Sequence, residues 1–63
     1  MKVLVVDDRA LIVEDLLDEV RRIRPNAECV GVTSPAEAAA LAERTRFDVA
    51  LLDIDMQIGR AHV

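Results

Sequence analysis

The stretch KVLVVDD, residues 2–8, sets four apolar residues in a row and then ends in two carboxylates. A short continuous apolar run of this kind predicts a strand that is covered on both faces, as in a parallel sheet. A second stretch, FDVALLD at residues 47–53, has the same character and also ends in an aspartate. We therefore predict two buried strands, far apart in the sequence, that each end in acidic residues.

The segments between these two strands predict two helices and one more strand. From residue 10 to 24, apolar residues recur at spacings of three and four, which is the period of an amphipathic helix. Its acidic residues come early and its arginines late, which complements the helix dipole. Residues 28–34, ECVGVTS, follow as a second strand with a glycine in its interior.

The second helix has the clearest start in the chain. Ser34 is a good N-cap, Pro35 occupies the first helical position, and Glu37 completes an S-x-x-E capping box. An alanine-rich helix is predicted from there to about residue 44. The fold class is therefore α/β in the order β-α-β-α-β, with connections short enough to make the strands parallel.

In a doubly wound parallel sheet of this order, the first and third strands lie side by side. Ligands bind at the carboxyl ends of the strands, where the strand order reverses. We therefore expect Asp7 and Asp8 to meet Asp53 at one edge of the sheet. Taken singly, each aspartate has a simpler structural interpretation as a helix cap or a strand end.

Composition narrows the class of protein. The chain has 63 residues, 52% of them hydrophobic and 32% charged, which fits one small folded domain. Its net charge of −4 argues against a basic nucleic-acid-binding surface. Apolar runs are too short to cross a bilayer and no signal peptide is present, so we expect a cytoplasmic protein. Cys29 is the only cysteine, which excludes an internal disulfide and indicates a buried structural thiol.

Three carboxylates that lie within a few ångströms of one another must either protonate or bind a cation. Hard oxygen ligands suit Mg²⁺, which commonly binds one or two carboxylates together with phosphate oxygens. A carboxylate can also accept a phosphoryl group and form an aspartyl-phosphate. The acidic cluster is therefore suited to phosphoryl transfer.

These residues resemble a known family. VLVVDD, a helix, a short strand and then FDVALLDIDM are similar to the N-terminal half of a response-regulator receiver domain, the phosphoacceptor module of two-component signalling. The resemblance runs from Lys2 to Met56 and implies a flavodoxin-like doubly wound sheet, here truncated, with residues 1–57 as a partial receiver domain. It implies a signalling module and not an enzyme.

The resemblance also implies a role for each acidic residue. Asp53 would be the phosphorylated aspartate, Asp8 a direct Mg²⁺ ligand, Asp7 a ligand through water, and Asp55 a ligand through its backbone carbonyl. A sensor histidine kinase would donate the phosphoryl group, and an output domain, missing here, would report it. No direct contact with nucleic acid or membrane is expected.

The chain departs from the receiver pattern after Met56. Gln57 stands where receivers usually have proline, and neither the fourth strand with its final Ser or Thr nor the fifth with its final Lys is present. We therefore expect the fragment to be inactive alone. The outer edge of the third strand would also be unpaired, which offers a template for dimerisation.

We predict that the last six residues do not come from the natural gene. IGRAHV, residues 58–63, is what one reading frame of a widely used sequencing-library adapter encodes. The same frame turns a proline codon at position 57 into a glutamine codon, so we expect the natural residue there to be proline and residues 58–63 to be a non-native tail. A genuine stop codon after Val63 in the resequenced gene would contradict this hypothesis.

A second family remains as an alternative. DIDM, residues 53–56, also resembles the D-x-D core of haloacid-dehalogenase-type phosphatases, in which Asp53 would be the nucleophile and Asp55 a general acid. That motif normally follows the first strand of its fold, and it leaves Asp7 and Asp8 without a role. A third interpretation is a structural or interaction fragment that associates through the edge of the third strand.

Overall fold

The computed structural model describes residues 1–53, and within them the chain forms a three-stranded parallel sheet with two helices. The elements are β1 (Lys2–Val6), α1 (Ala10–Ile23), β2 (Glu28–Val32), α2 (Pro35–Arg44) and β3 (Val49–Leu52). The α/β class and the order β-α-β-α-β are therefore confirmed. Neither helix among these residues has the length and apolar character needed to cross a bilayer. Asp55, Gln57 and the tail at 58–63 lie outside the described residues.

The sheet has the strand order β2-β1-β3, so the first and third strands are neighbours as predicted. Val6, the last residue of β1, pairs with Val32 of β2 and with Leu52 of β3. Pairing continues past the strand ends, because the Asp7 amide donates to the Val32 carbonyl at 3.3 Å and the Asp53 amide donates to the Val6 carbonyl at 3.1 Å. These backbone hydrogen bonds fix the two strand ends at one edge.

The core is built around β1. Val3 and Val5 point to one face of the sheet and pack with Val13 of α1, while Leu4 and Val6 point to the other face, which α2 covers. Because a helix covers each face of the sheet at β1, the side chains of Val3 to Val6 are buried on both faces. This explains why β1 carries a continuous apolar run instead of an alternating one.

The prediction that β3 is a buried strand is wrong. Val49 is 38% exposed and Leu52 is 58% exposed, because neither helix packs over β3 and no strand pairs with its outer side among the residues described. The predicted helix stripe is also incomplete at its end, where Ile23 is 63% exposed. Cys29 is half-buried instead of fully buried, since it lies on β2, the strand at the other edge of the described sheet. Dimerisation through the β3 edge stays a prediction.

The two helices start in different ways. Ser34 caps α2 as predicted, and its hydroxyl oxygen accepts hydrogen bonds from the amides of Ala36 and Glu37 at 3.2 and 3.3 Å. The N-cap of α1 is Arg9, whose side chain makes no capping hydrogen bond. The expectation of early acidic residues is also wrong for the first turn of α1, which has none. This helix is therefore held by packing more than by its cap.

Gly31, in the middle of β2, lies directly beneath α1. A Cβ atom there would collide with Cγ1 of Val13 and come within 2.9 Å of Cδ1 of Leu17. Valine has one strongly preferred rotamer in a helix, so Val13 is unable to turn aside cheaply. We expect Gly31→Ala to lower the free energy of unfolding by about 1–3 kcal/mol, measured by urea unfolding. An unchanged midpoint would contradict this close approach of helix and strand.

Candidate metal centre

Three carboxylates converge at the carboxyl edge of the sheet. Asp7 and Asp8 directly follow β1, and Asp53 directly follows β3, its neighbour in the sheet. One carboxylate oxygen from each of the three residues lies within 4.8 Å of the others. The convergence expected from the strand order is therefore observed. The proposed role of the Asp55 carbonyl falls outside the described residues.

The three carboxylates differ in their exposure to solvent. The side chain of Asp7 is 4% exposed and that of Asp53 is 12% exposed, whereas the side chain of Asp8 is 61% exposed. The cluster is thus closed on the Asp7 side and open on the Asp8 side. A hydrated ion or a large substrate has its approach from the direction of Asp8.

Arg9 is the functional residue that the sequence reasoning missed. Its Nε donates to Asp7 Oδ1 at 3.2 Å and lies 3.9 Å from an oxygen of Asp8. Its Nη2 lies 3.4 Å from the second oxygen of Asp7 and 3.5 Å from an oxygen of Asp53. A single guanidinium therefore reaches all three carboxylates. The sequence offered one clue, since Arg9 follows the two aspartates directly.

Asp7 is the carboxylate most firmly held by Arg9. Besides the side-chain contacts, the backbone amide of Arg9 donates to Asp7 Oδ1 at 2.9 Å. The side-chain hydrogen bond from Arg9 holds the pKa of the Asp7 carboxyl below its usual range, although burial pushes that pKa upward. The same hydrogen bond raises the pKa of Arg9. The Asp7 carboxylate is consequently ionised at neutral pH, so it can act as a metal ligand but not as a proton donor.

The donor set fits a hard divalent cation. Three carboxylates against one guanidinium leave the cluster with excess negative charge, which costs free energy unless a cation or protons offset it. Among residues 1–53 the cluster offers only oxygen donors, and carboxylate oxygens with room for water are what Mg²⁺ prefers. Asp7, Asp8 and Asp53 are the described residues that would hold it.

No family model, curated protein or solved structure matches the chain. The resemblance to receiver domains therefore has no support from these comparisons. Any functional proposal has to rest on the geometry of the acidic cluster and on the chemistry of its residues.

A shared ion makes a specific prediction about paired variants. We expect Asp8→Asn and Asp53→Asn each to weaken Mg²⁺ binding by roughly tenfold or more, because each removes a charge a few ångströms from the ion. The loss of Mg²⁺-binding free energy in the double variant should be smaller than the sum of the two single losses, since both residues bind one ion. Titration calorimetry measures this without fluorescence, which suits a chain that has no tryptophan or tyrosine.

The control for this cycle is Asp18→Asn. Asp18 lies on α1, where its side chain is 81% exposed and pairs with Arg21. The substitution therefore removes one negative charge, as the other two do, but at a position away from the cluster. Its Mg²⁺ affinity should match that of the wild type. Strictly additive losses for Asp8 and Asp53, or losses as large for Asp18, would show that the carboxylates do not share an ion.

Proposed function

We propose that the chain is the N-terminal half of a flavodoxin-like receiver domain, a phosphoacceptor module of a two-component phosphorelay. Asp53 accepts the phosphoryl group, and Asp7, Asp8 and Asp53 hold Mg²⁺ together with the backbone carbonyl of Asp55. The observation that carries this proposal is the convergence of three carboxylate oxygens within 4.8 Å at the ends of two adjacent parallel strands.

The chemistry requires an ionised nucleophile and an open approach. A carboxylate oxygen of Asp53 attacks the phosphorus of a phosphohistidine on a sensor histidine kinase. A P–O bond forms, the P–N bond to the imidazole breaks, and the leaving imidazole takes up a proton from solvent. Bound Mg²⁺ supplies charge neutralisation on the transferring group. The exposed side of the cluster, at Asp8, is where such a donor reaches Asp53.

The geometry favours this proposal over a phosphatase. The D-x-D motif of a haloacid-dehalogenase-type phosphatase gives roles to Asp53 and Asp55, and it assigns nothing to the two aspartates after β1. Here those two aspartates lie beside Asp53, close enough for all three carboxylates to bind a single ion. A receiver uses all three carboxylates, so it accounts for more of the observed arrangement.

The proposal includes partners that lie beyond this chain. In the cytoplasm, a sensor histidine kinase donates the phosphoryl group to this protein, and an output domain of the longer parent protein responds to it. A Ser or Thr from a fourth strand and a Lys from a fifth strand contact the phosphoryl group in that parent. The proposal therefore makes phosphorylation-dependent signalling a property of the parent protein, in which these residues surround Asp53.

The test uses the parent protein, in which the segment continues past position 57. Treatment with acetyl phosphate should attach a phosphoryl group that depends on Mg²⁺ and is removed by hydroxylamine, as an acyl phosphate is. Absence of this label would contradict the proposal. Asp55→Asn distinguishes the alternative, because it should leave the label intact in a receiver but abolish turnover in a phosphatase.

A further inference from the structure

Arg9 occupies an unusual place for a cation. It is the N-cap of α1, where the helix dipole presents partial positive charge and where an oxygen-bearing side chain is normally preferred. An arginine has no acceptor to offer the free amides of the first turn. Its position is therefore unfavourable for the helix and favourable only for the carboxylates beside it.

The contacts of Arg9 are graded in strength. It holds Asp7 through its backbone amide at 2.9 Å and through Nε at 3.2 Å, but its guanidinium lies 3.5 Å from Asp53 and 3.9 Å from Asp8. The Arg9 side chain is 61% exposed, so it has solvent into which to move. The weaker contacts are thus the ones that an incoming ion replaces most easily.

We propose that Arg9 is a tethered counter-cation that competes with the divalent ion, so that metal binding displaces its guanidinium from Asp8 and Asp53. This inference rests on the metal site of the proposed function and adds its regulation. Arg9 stabilises the metal-free cluster by offsetting part of its negative charge. It thereby sets the Mg²⁺ affinity lower than three carboxylates alone would give.

Removal of the Arg9 charge should therefore tighten metal binding. Arg9→Gln keeps a hydrogen-bond donor but loses the positive charge, and we expect its Mg²⁺ affinity to rise roughly tenfold at low salt. Arg9→Lys keeps the charge and should bind Mg²⁺ about as the wild type does. Arg21→Gln is the matched control, since Arg21 pairs with Asp18 in the last turn of α1, and its affinity should stay unchanged.

A second measurement needs no variant. In wild-type protein labelled with ¹⁵N, the Nε–H resonance of Arg9 should shift during an Mg²⁺ titration with the same midpoint as the Asp53 amide. A resonance that stays in place while the Asp53 amide shifts would overturn the inference, even if Arg9→Gln fails to fold.

The outcomes separate this inference from the proposed function. If Mg²⁺ binds and Asp8→Asn weakens it, but Arg9→Gln binds no more tightly than the wild type, then the Arg9 inference is wrong and the metal site stands. If the wild type shows no Mg²⁺ binding that depends on Asp8 and Asp53, then both are wrong. Tighter binding in Arg9→Gln, with Arg21→Gln unchanged, supports the competition.

Discussion

Val5→Asp is expected to abolish folding of the chain. Val5 is fully buried, with 0% of its surface exposed, and it lies in the central strand between Gly31 and Leu51. Burial of a carboxylate without a partner costs several kcal/mol or more. A chain of 63 residues has only about 3–9 kcal/mol of stability to lose.

The measurement is urea unfolding followed by far-UV circular dichroism. Val5→Asp should show no cooperative transition, whereas the same change at Val30, which is 37% exposed on β2, should keep one. Val5→Ala gives the graded version, with an expected loss of about 2 kcal/mol. A cooperative transition for Val5→Asp close to that of the wild type would mean that β1 is not the centre of the core.

Much of this fold follows from local sequence patterns. The run VLVV predicts a strand covered on both faces, and β1 is that strand, because its order in the sheet puts a helix on each side. The Ser34 cap predicts the start of α2 at Pro35, since a serine hydroxyl is the acceptor that the first free amides require.

The exposure of β3 was not predictable from its sequence. The run VALL has the same apolar character as VLVV, yet its residues are mostly exposed. Burial of a strand depends on what lies beside it, and a local pattern does not contain that information. The apolar side chains of β3 at the outer edge are what a further strand or a second chain would cover.

The site was predictable only in part. Strand order brings Asp7 and Asp8 to Asp53, and the sequence predicted that order only through the doubly wound arrangement in which the first and third strands are neighbours. The role of Arg9 depends on a third carboxylate that is 44 positions away, since 53 − 9 = 44, so its position next to the aspartates in sequence was not sufficient. Electrostatic partners of this kind emerge only when the strands are placed together.

Asp53→Asn is expected to abolish phosphorylation of the parent protein at every Mg²⁺ concentration. An asparagine amide has the shape of the carboxylate but carries no charge and is no nucleophile toward phosphorus. The control is Asp48→Asn at the other end of β3, where Asp48 accepts a hydrogen bond from the Lys2 amide at 2.8 Å. That variant should incorporate the label like the wild type.

Mg²⁺ dependence separates the acceptor from a metal ligand. Asp8 is the more exposed carboxylate, so accessibility alone would favour it as the phosphorylated residue over Asp53. If Asp8 is a ligand, Asp8→Asn should recover its label as Mg²⁺ is raised, because higher metal concentration compensates for weaker binding. If Asp53 is the acceptor, no Mg²⁺ concentration restores the label in Asp53→Asn. Label retained in Asp53→Asn but lost in Asp8→Asn would exchange the two roles.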